Sequence, residues 1–149
     1  MPRFHALLPL ALIACTHPAT SPAPASAVPA MILGEFQDDY GNHFTISNAE
    51  WFHRPKSRYH ILIWNVPDQY AIAQNDSSNP GQRGRWTRID WMSLSGMAPW
   101  EWGFCLTAYD APSLAAAEAT TPARREVPRT GCNGFPFSRM RRLGSANGG

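Results

Sequence analysis

The chain has 149 residues, 44% of them hydrophobic and 16% charged, with six Trp and a formal charge of +2. That balance belongs to a globular chain rather than a disordered one. A charge so close to zero excludes a general polyanion-binding role, nucleic acid included.

The chain opens with Arg3 and an apolar run, Ala6–Ala14, ending Leu12-Ile13-Ala14-Cys15. The run is shorter than the ~20 apolar residues a membrane-crossing helix needs, and it suits the core of a signal peptide. With the Pro/Ala/Ser stretch that follows, it resembles the lipobox of bacterial lipoproteins, in which the signal is cut just before a cysteine that carries lipid. The resemblance implies a diacylglyceryl thioether on Cys15, usually with an acylated amine, and hence a lipid bilayer as partner. Several acyl chains acting together give long-lived anchoring, each buried methylene contributing ~0.8 kcal/mol. Thr16 follows the cysteine where many Gram-negative lipoproteins retained at the inner membrane have Asp, so the resemblance favours the outer membrane. The rival reading is ordinary secretion with cleavage after Ala25-Ser26-Ala27, but that site lies well past the apolar core, across three prolines. Thr16–Ala30 contains four prolines and almost no large side chain. It cannot bury enough apolar surface to order itself, and proline biases it to an extended tether of at most ~45 Å.

The expected organisation is therefore a signal peptide at 1–14, a lipidated cysteine and tether at 15–30, one β-rich domain at 31–142 and a flexible tail at 143–149. Within the domain, turn residues punctuate short β-branched and aromatic runs. Met31–Gln37 reads as a first strand, closed by the turn cluster Asp38-Asp39-Tyr40-Gly41-Asn42. His43–Ser47 and Trp51–His53 follow, then the long apolar run Arg58–Val66, which Pro67-Asp68 joins to Gln69–Asn75 as a hairpin. Asp76–Gly84 is a loop by composition, and Arg85–Leu94 and Trp100–Tyr109 complete about seven strands. Strands at this spacing without intervening helices predict a mainly β fold, an antiparallel small barrel or sandwich. A short helical segment is expected late, at Leu114–Ala119 behind Ser113, with another turn or two from Thr121 to Glu126.

Three cysteines less Cys15 leave Cys105 and Cys132, an even pair in an oxidising compartment, and predict a disulfide. A reactive thiol is the alternative, but no activating Cys/His signature surrounds either residue. Alternation along Trp100–Tyr109 puts Trp100, Trp102, Phe104 and Leu106 on one face, the core, and Cys105 on the other. A bridge to Cys132 would then draw the C-terminal segment across that second face, with Phe135 and Phe137 covering it.

The same alternation places Trp86, Arg88, Asp90 and Met92 on one face of the Arg85–Leu94 strand. Trp86, Arg88 and Asp90 are the candidate ligand-binding residues; the blander reading makes Arg88 and Asp90 a structural ion pair. Glycoside hydrolysis needs two carboxylates, and Asp38, Asp39, Asp90 and Glu101 are available, although Asp38-Asp39 reads more simply as a turn. His43, His53 and His60 lack zinc-site spacing, and EF-hand, phosphate-loop and nucleophile-elbow motifs are missing, so no metal, cofactor or catalytic residue is assigned. The aromatic excess suits a pocket for a small molecule or sugar, although most of the Trp are needed for a core. Arg124, Arg125, Arg129, Arg139, Arg141 and Arg142 crowd the C-terminal end, either as a solvated basic tail or as a face for anionic lipid or an acidic partner.

Gly84–Met92 and Gly131–Met140 are similar to segments of bacterial exported proteins of uncharacterised activity, and Gly34–Gly41 resembles the first strand of lipocalin-like barrels. The expected function is thus a membrane-anchored envelope lipoprotein whose small β domain binds an envelope protein, a glycan or an anionic lipid without catalysis. An envelope hydrolase acting on glycans is the alternative, and a purely structural factor a third. Metabolic labelling with a palmitate analogue should mark the wild type and leave Cys15→Ala unmarked; equal labelling of both would contradict the lipobox reading.

Overall fold

The computed structural model describes residues 27–144; Cys15, the signal peptide, most of the tether and most of the tail lie outside them. Eight strands, β1 (Gly34–Asp38), β2 (His43–Ile46), β3 (Glu50–Arg54), β4 (Ser57–Asn65), β5 (Tyr70–Asn75), β6 (Trp86–Ser93), β7 (Trp102–Ala111) and β8 (Ser138–Arg142), close an antiparallel barrel in chain order. Of the expected barrel or sandwich it is the mainly β barrel that forms, with one helix among the described residues, α1 (Leu114–Glu118), capped by the Ser113 hydroxyl accepting from Ala116 N–H at 3.1 Å. Closure comes from β8, which pairs with β7 over Trp102–Phe104 and with β1 over Phe36–Asp38. This eighth strand was not expected. Of the arginine-rich end, Arg139, Arg141 and Arg142 lie in this ordered strand, while Arg124, Arg125 and Arg129 lie between β7 and β8.

Inward positions alternate along the strands and meet in one aromatic core of Phe36, Phe44, Trp51, Trp91, Trp102 and Phe104, with Ile46, Ile89 and Met140 between them. Edge-to-face contacts dominate it, as ring quadrupoles favour: Phe36–Trp102 centroids lie 5.2 Å apart at 89° and Trp51–Trp102 5.7 Å apart at 88°. Outside, β1–β4 carry the ion pairs Glu35–Arg54 and Glu50–Arg58, and His60 of β4 contacts the Asp76 carboxylate just past β5. An apolar interior under a charged exterior is the reverse of a membrane-spanning barrel, whose apolar band faces outward.

The expected start of the first strand changes for steric reasons. Met31–Leu33 form a turn rather than strand, with Ile32 N–H donating to the Pro29 carbonyl, and the turn drops Ile32 fully buried into the end of the barrel. The strand starts at Gly34, whose φ of +128° suits glycine and whose missing Cβ leaves room for the Arg142 guanidinium, 2.5 Å from where that carbon would sit. Arg142 thereby reaches the carbonyls of Leu33, Ala30 and Met31.

Residues 112–137, between β7 and β8, form a strap over the outer face of β5–β7. Ala117 of α1 packs on Ile72 and Ala111, with Trp86, Tyr70 and Leu114 partly buried around them. Further on, Ala123 and Phe137 pack on Cys105, and Cys105 is bridged to Cys132 as the cysteine count predicted. Closing that loop contributes ~3.6 kcal/mol by the chain-entropy argument. Cys105 does face away from the core, and the C-terminal segment does cross there. Phe137 covers it at 3% exposure, whereas Phe135 stands 71% exposed. Thr121–Glu126 make no helix: Arg124 N–H donates to the Gly131 carbonyl, and a Cβ on Gly131 would lie 1.9 Å from the Arg124 carbonyl oxygen. That approach leaves room for glycine alone.

Candidate functional site

The barrel has two distinguishable ends. The β1–β2 and β3–β4 turns and the end of β7 lie at one; the chain entry at Pro29–Leu33, the β4–β5 turn and the end of β8 lie at the other. At the first end the seam is incomplete. Past Phe104, β7 continues to Ala111 beside β6, but β8 has already begun at Ser138 and offers no further partner.

A cavity of about 460 Å³ occupies this opening, within the usual range for small-molecule sites. Phe44, Trp51 and Phe104 of the core form its floor, and Tyr59 and His53 its wall. Tyr40 from the β1–β2 turn, Tyr109 from β7 and Phe135 from the strap form its rim, 67%, 53% and 71% exposed. Each position follows from the local fold. Phe44 and Trp51 are inward on facing strands β2 and β3, Tyr40 sits at the tip of a tight turn, and the Cys105–Cys132 bridge brings Phe135 alongside. Leu62, Met97 and Val127 are exposed elsewhere as single side chains; the three rim aromatics are gathered around one opening.

The polar groups here are few. Asp38 accepts from the backbone N–H groups of Tyr40 and Asn42 at 3.0 and 2.8 Å and from Asn42 Nδ2 at 2.9 Å, so its carboxylate holds the turn. The turn reading of Asp38-Asp39 is the observed one, Asp39 being engaged by Arg139 at 2.8 Å. The His53 ring stacks on Phe44 with centroids 4.7 Å apart, and its Nε2 is buried with no partner among the described residues. Burial lowers the His53 pKa below its ordinary 6.5, against the Asp38 charge, which favours the protonated ring, and with the Lys56 charge, which opposes it. Burial likewise raises the Tyr59 phenol, against a Ser57 hydrogen bond that lowers it.

The candidates from sequence fall elsewhere. Asp90 is fully buried under the strap, where Arg88 Nε and Nη2 meet its two oxygens at 3.0 and 3.2 Å and Arg125 Nη2 reaches it at 3.0 Å. The Thr107 hydroxyl donates to Asp90 at 2.5 Å. Arg88, 3% exposed, gives Nη1 to the Glu118 carbonyl at the end of α1 and lies over the Tyr70 ring, 3.8 Å from its centroid. The structure thus unites Arg88 and Asp90 as an ion pair but gives Arg88 an aromatic partner other than Trp86, which packs among the side chains beneath α1. Arg125 completes the group, with Nε on the Trp91 carbonyl and Nη2 on those of Asp68 and Gln69. Glu101 is exposed at the far end from the mouth. The histidines are dispersed: His43 contacts Gln37, His60 contacts Asp76, and His53 is in the mouth. Among the described residues no three His, Cys, Asp or Glu side chains are grouped to hold a metal ion.

Sequence reasoning missed the mouth and Arg125. Alternation along β2 and β3 is the signal that could have found Phe44 and Trp51; the point where β8 stops pairing leaves no such signal. No family model, no curated protein and no solved structure matches the chain, so the functional reading rests on its own residues.

Removing one partner from a buried ion pair leaves the remaining charges uncompensated. Asp90→Asn should therefore lower unfolding stability by about 3–5 kcal/mol in urea titrations, with the exposed Glu101→Gln within about 0.5 kcal/mol of wild type. Equal stability of the two variants would show that the cluster does not hold the strap.

Proposed function

We propose that the domain is a non-catalytic binding module that takes a small apolar ligand into the aromatic mouth of the barrel, carried at the bacterial cell envelope by lipid on Cys15. The observation that carries this reading is the cavity itself, an apolar floor open to solvent under three exposed aromatic rims. Covering such side chains releases ~25 cal/mol for each Å² of apolar surface removed from water, and rigid rings lose little entropy when they order. A ligand therefore gains affinity here mainly by contact, with few polar groups to set its orientation.

The lipobox reading and the topology support one arrangement. The tether joins the barrel near Ala30, at the end opposite the mouth, so an anchor on Cys15 leaves the opening clear of the attachment point. The outer membrane is the favoured surface on the evidence of Thr16. The glycan-hydrolase alternative draws less support, because the one carboxylate lining the mouth, Asp38, is engaged in its turn, and Asp90 is enclosed by two guanidiniums.

Binding of a neutral naphthylamine fluorophore tests the reading. Wild-type protein should bind it saturably, and the pair Tyr40→Ser with Phe135→Ser, both at exposed positions, should weaken it about tenfold. Leu62→Ser, which removes an exposed apolar side chain elsewhere, should leave affinity unchanged. Equal affinity in all three proteins would place the ligand outside the mouth.

A further inference from the structure

A second hollow lies at the tether end, outside the barrel wall between the β4–β5 turn and the strap, and its polar lining contrasts with the mouth's. We infer that this hollow is an oxyanion site that takes a phosphate group on Arg125, beside Arg88. It encloses about 420 Å³ and is lined by Gln69, Tyr70, Arg88, Pro122 and Arg125, with Asp68 at the turn.

Two guanidiniums share one buried ion-pair partner, Asp90. Asp68, at the same hollow, is turned to its own loop, its carboxylate accepting from Asn65 Nδ2 at 3.0 Å. Arg125 fastens the strap with Nε and Nη2 alone, while its Nη1 has no partner among the described residues. The side chain is 25% exposed, so the free edge of the fork is reachable from the hollow. Arg88 beneath it is held rigid by Asp90, the Glu118 carbonyl and the Tyr70 ring. A guanidinium fixed on one edge and open on the other can offer that free edge to phosphate oxygens, and the volume admits a phosphate with a substituent attached.

Phosphate in this place can come from a lipid headgroup at the bilayer or from a free phosphate ester. The test uses the mature chain from residue 15 with Cys15→Ala, so that no acyl chain contributes. Amide spectra are recorded during titration with inorganic phosphate up to about 20 mM, against chloride at matched ionic strength. Saturable shifts at Gln69, Tyr70 and Arg125 are expected with phosphate and not with chloride. Arg125→Gln should weaken binding about tenfold or more. Should that variant not fold, Pro122→Glu places a carboxylate at the exposed rim without removing a strap hydrogen bond, and it should abolish the shifts. Phosphatidylglycerol vesicles that perturb the same amides and compete with phosphate would identify the headgroup as the source; vesicles without effect beside saturable phosphate binding would identify a free ester. No saturable shift, equal shifts with chloride, or shifts unchanged in Pro122→Glu would overturn the assignment.

Discussion

Asp90 has no solvent exposure and faces two guanidiniums and a hydroxyl, which come from its own strand, from β7 and from the strap. An isolated carboxylate could not occupy that position, since desolvation without compensating partners costs several kcal/mol. The barrel wall and the strap are therefore stable together: β6 presents the charge, and residues 112–137 must cross it to supply Arg125. The crossing also covers the outer apolar surface of β5–β7, where Ile72, Cys105 and Trp86 would otherwise meet water. A disulfide at one point and an ion cluster at another leave the strap little freedom between them.

The open mouth follows from that constraint. The strap spends most of its length on the outer face of β5–β7 and meets the free part of β7 through the Cys105–Cys132 bridge and Asn133 rather than as a strand, so β8 begins opposite Phe104 and the rest of β7 lacks a strand partner on that side. The same return leaves Phe135 in solvent while Phe137 is buried two residues on. The apolar opening and the cationic hollow thus sit at opposite ends of one barrel, both bounded by the strap.

The barrel was legible because its strands obey a simple rule: alternating side chains with glycine, proline and Asx residues at the turns. Cysteine counting identified the bridge for an equally local reason. Strand β8 escaped because only Met140 of its five residues is buried and its arginines mimic a solvated tail. Those arginines find partners too distant in sequence for any pattern to register, as Arg139 with Asp39 and Arg141 with Gln37 illustrate. Arg88 and Asp90 were correctly placed on one face, but whether that face met solvent or a covering segment depended on the strap. Trp86 looked like a ligand-facing residue for the same reason. A cavity is set by where pairing ends, which is a property of the closed barrel rather than of any one strand.

An apolar ligand that enters the unpaired seam would rest on the core aromatics. Intermolecular nuclear Overhauser effects between a bound neutral naphthylamine and assigned ring protons are the decisive measurement. Contacts to Phe44, Trp51 and Phe104 on the floor and to Tyr40, Tyr109 and Phe135 at the rim are expected. Contacts confined to Trp100 or to the side chains beneath α1, with none to those six residues, would contradict that placement.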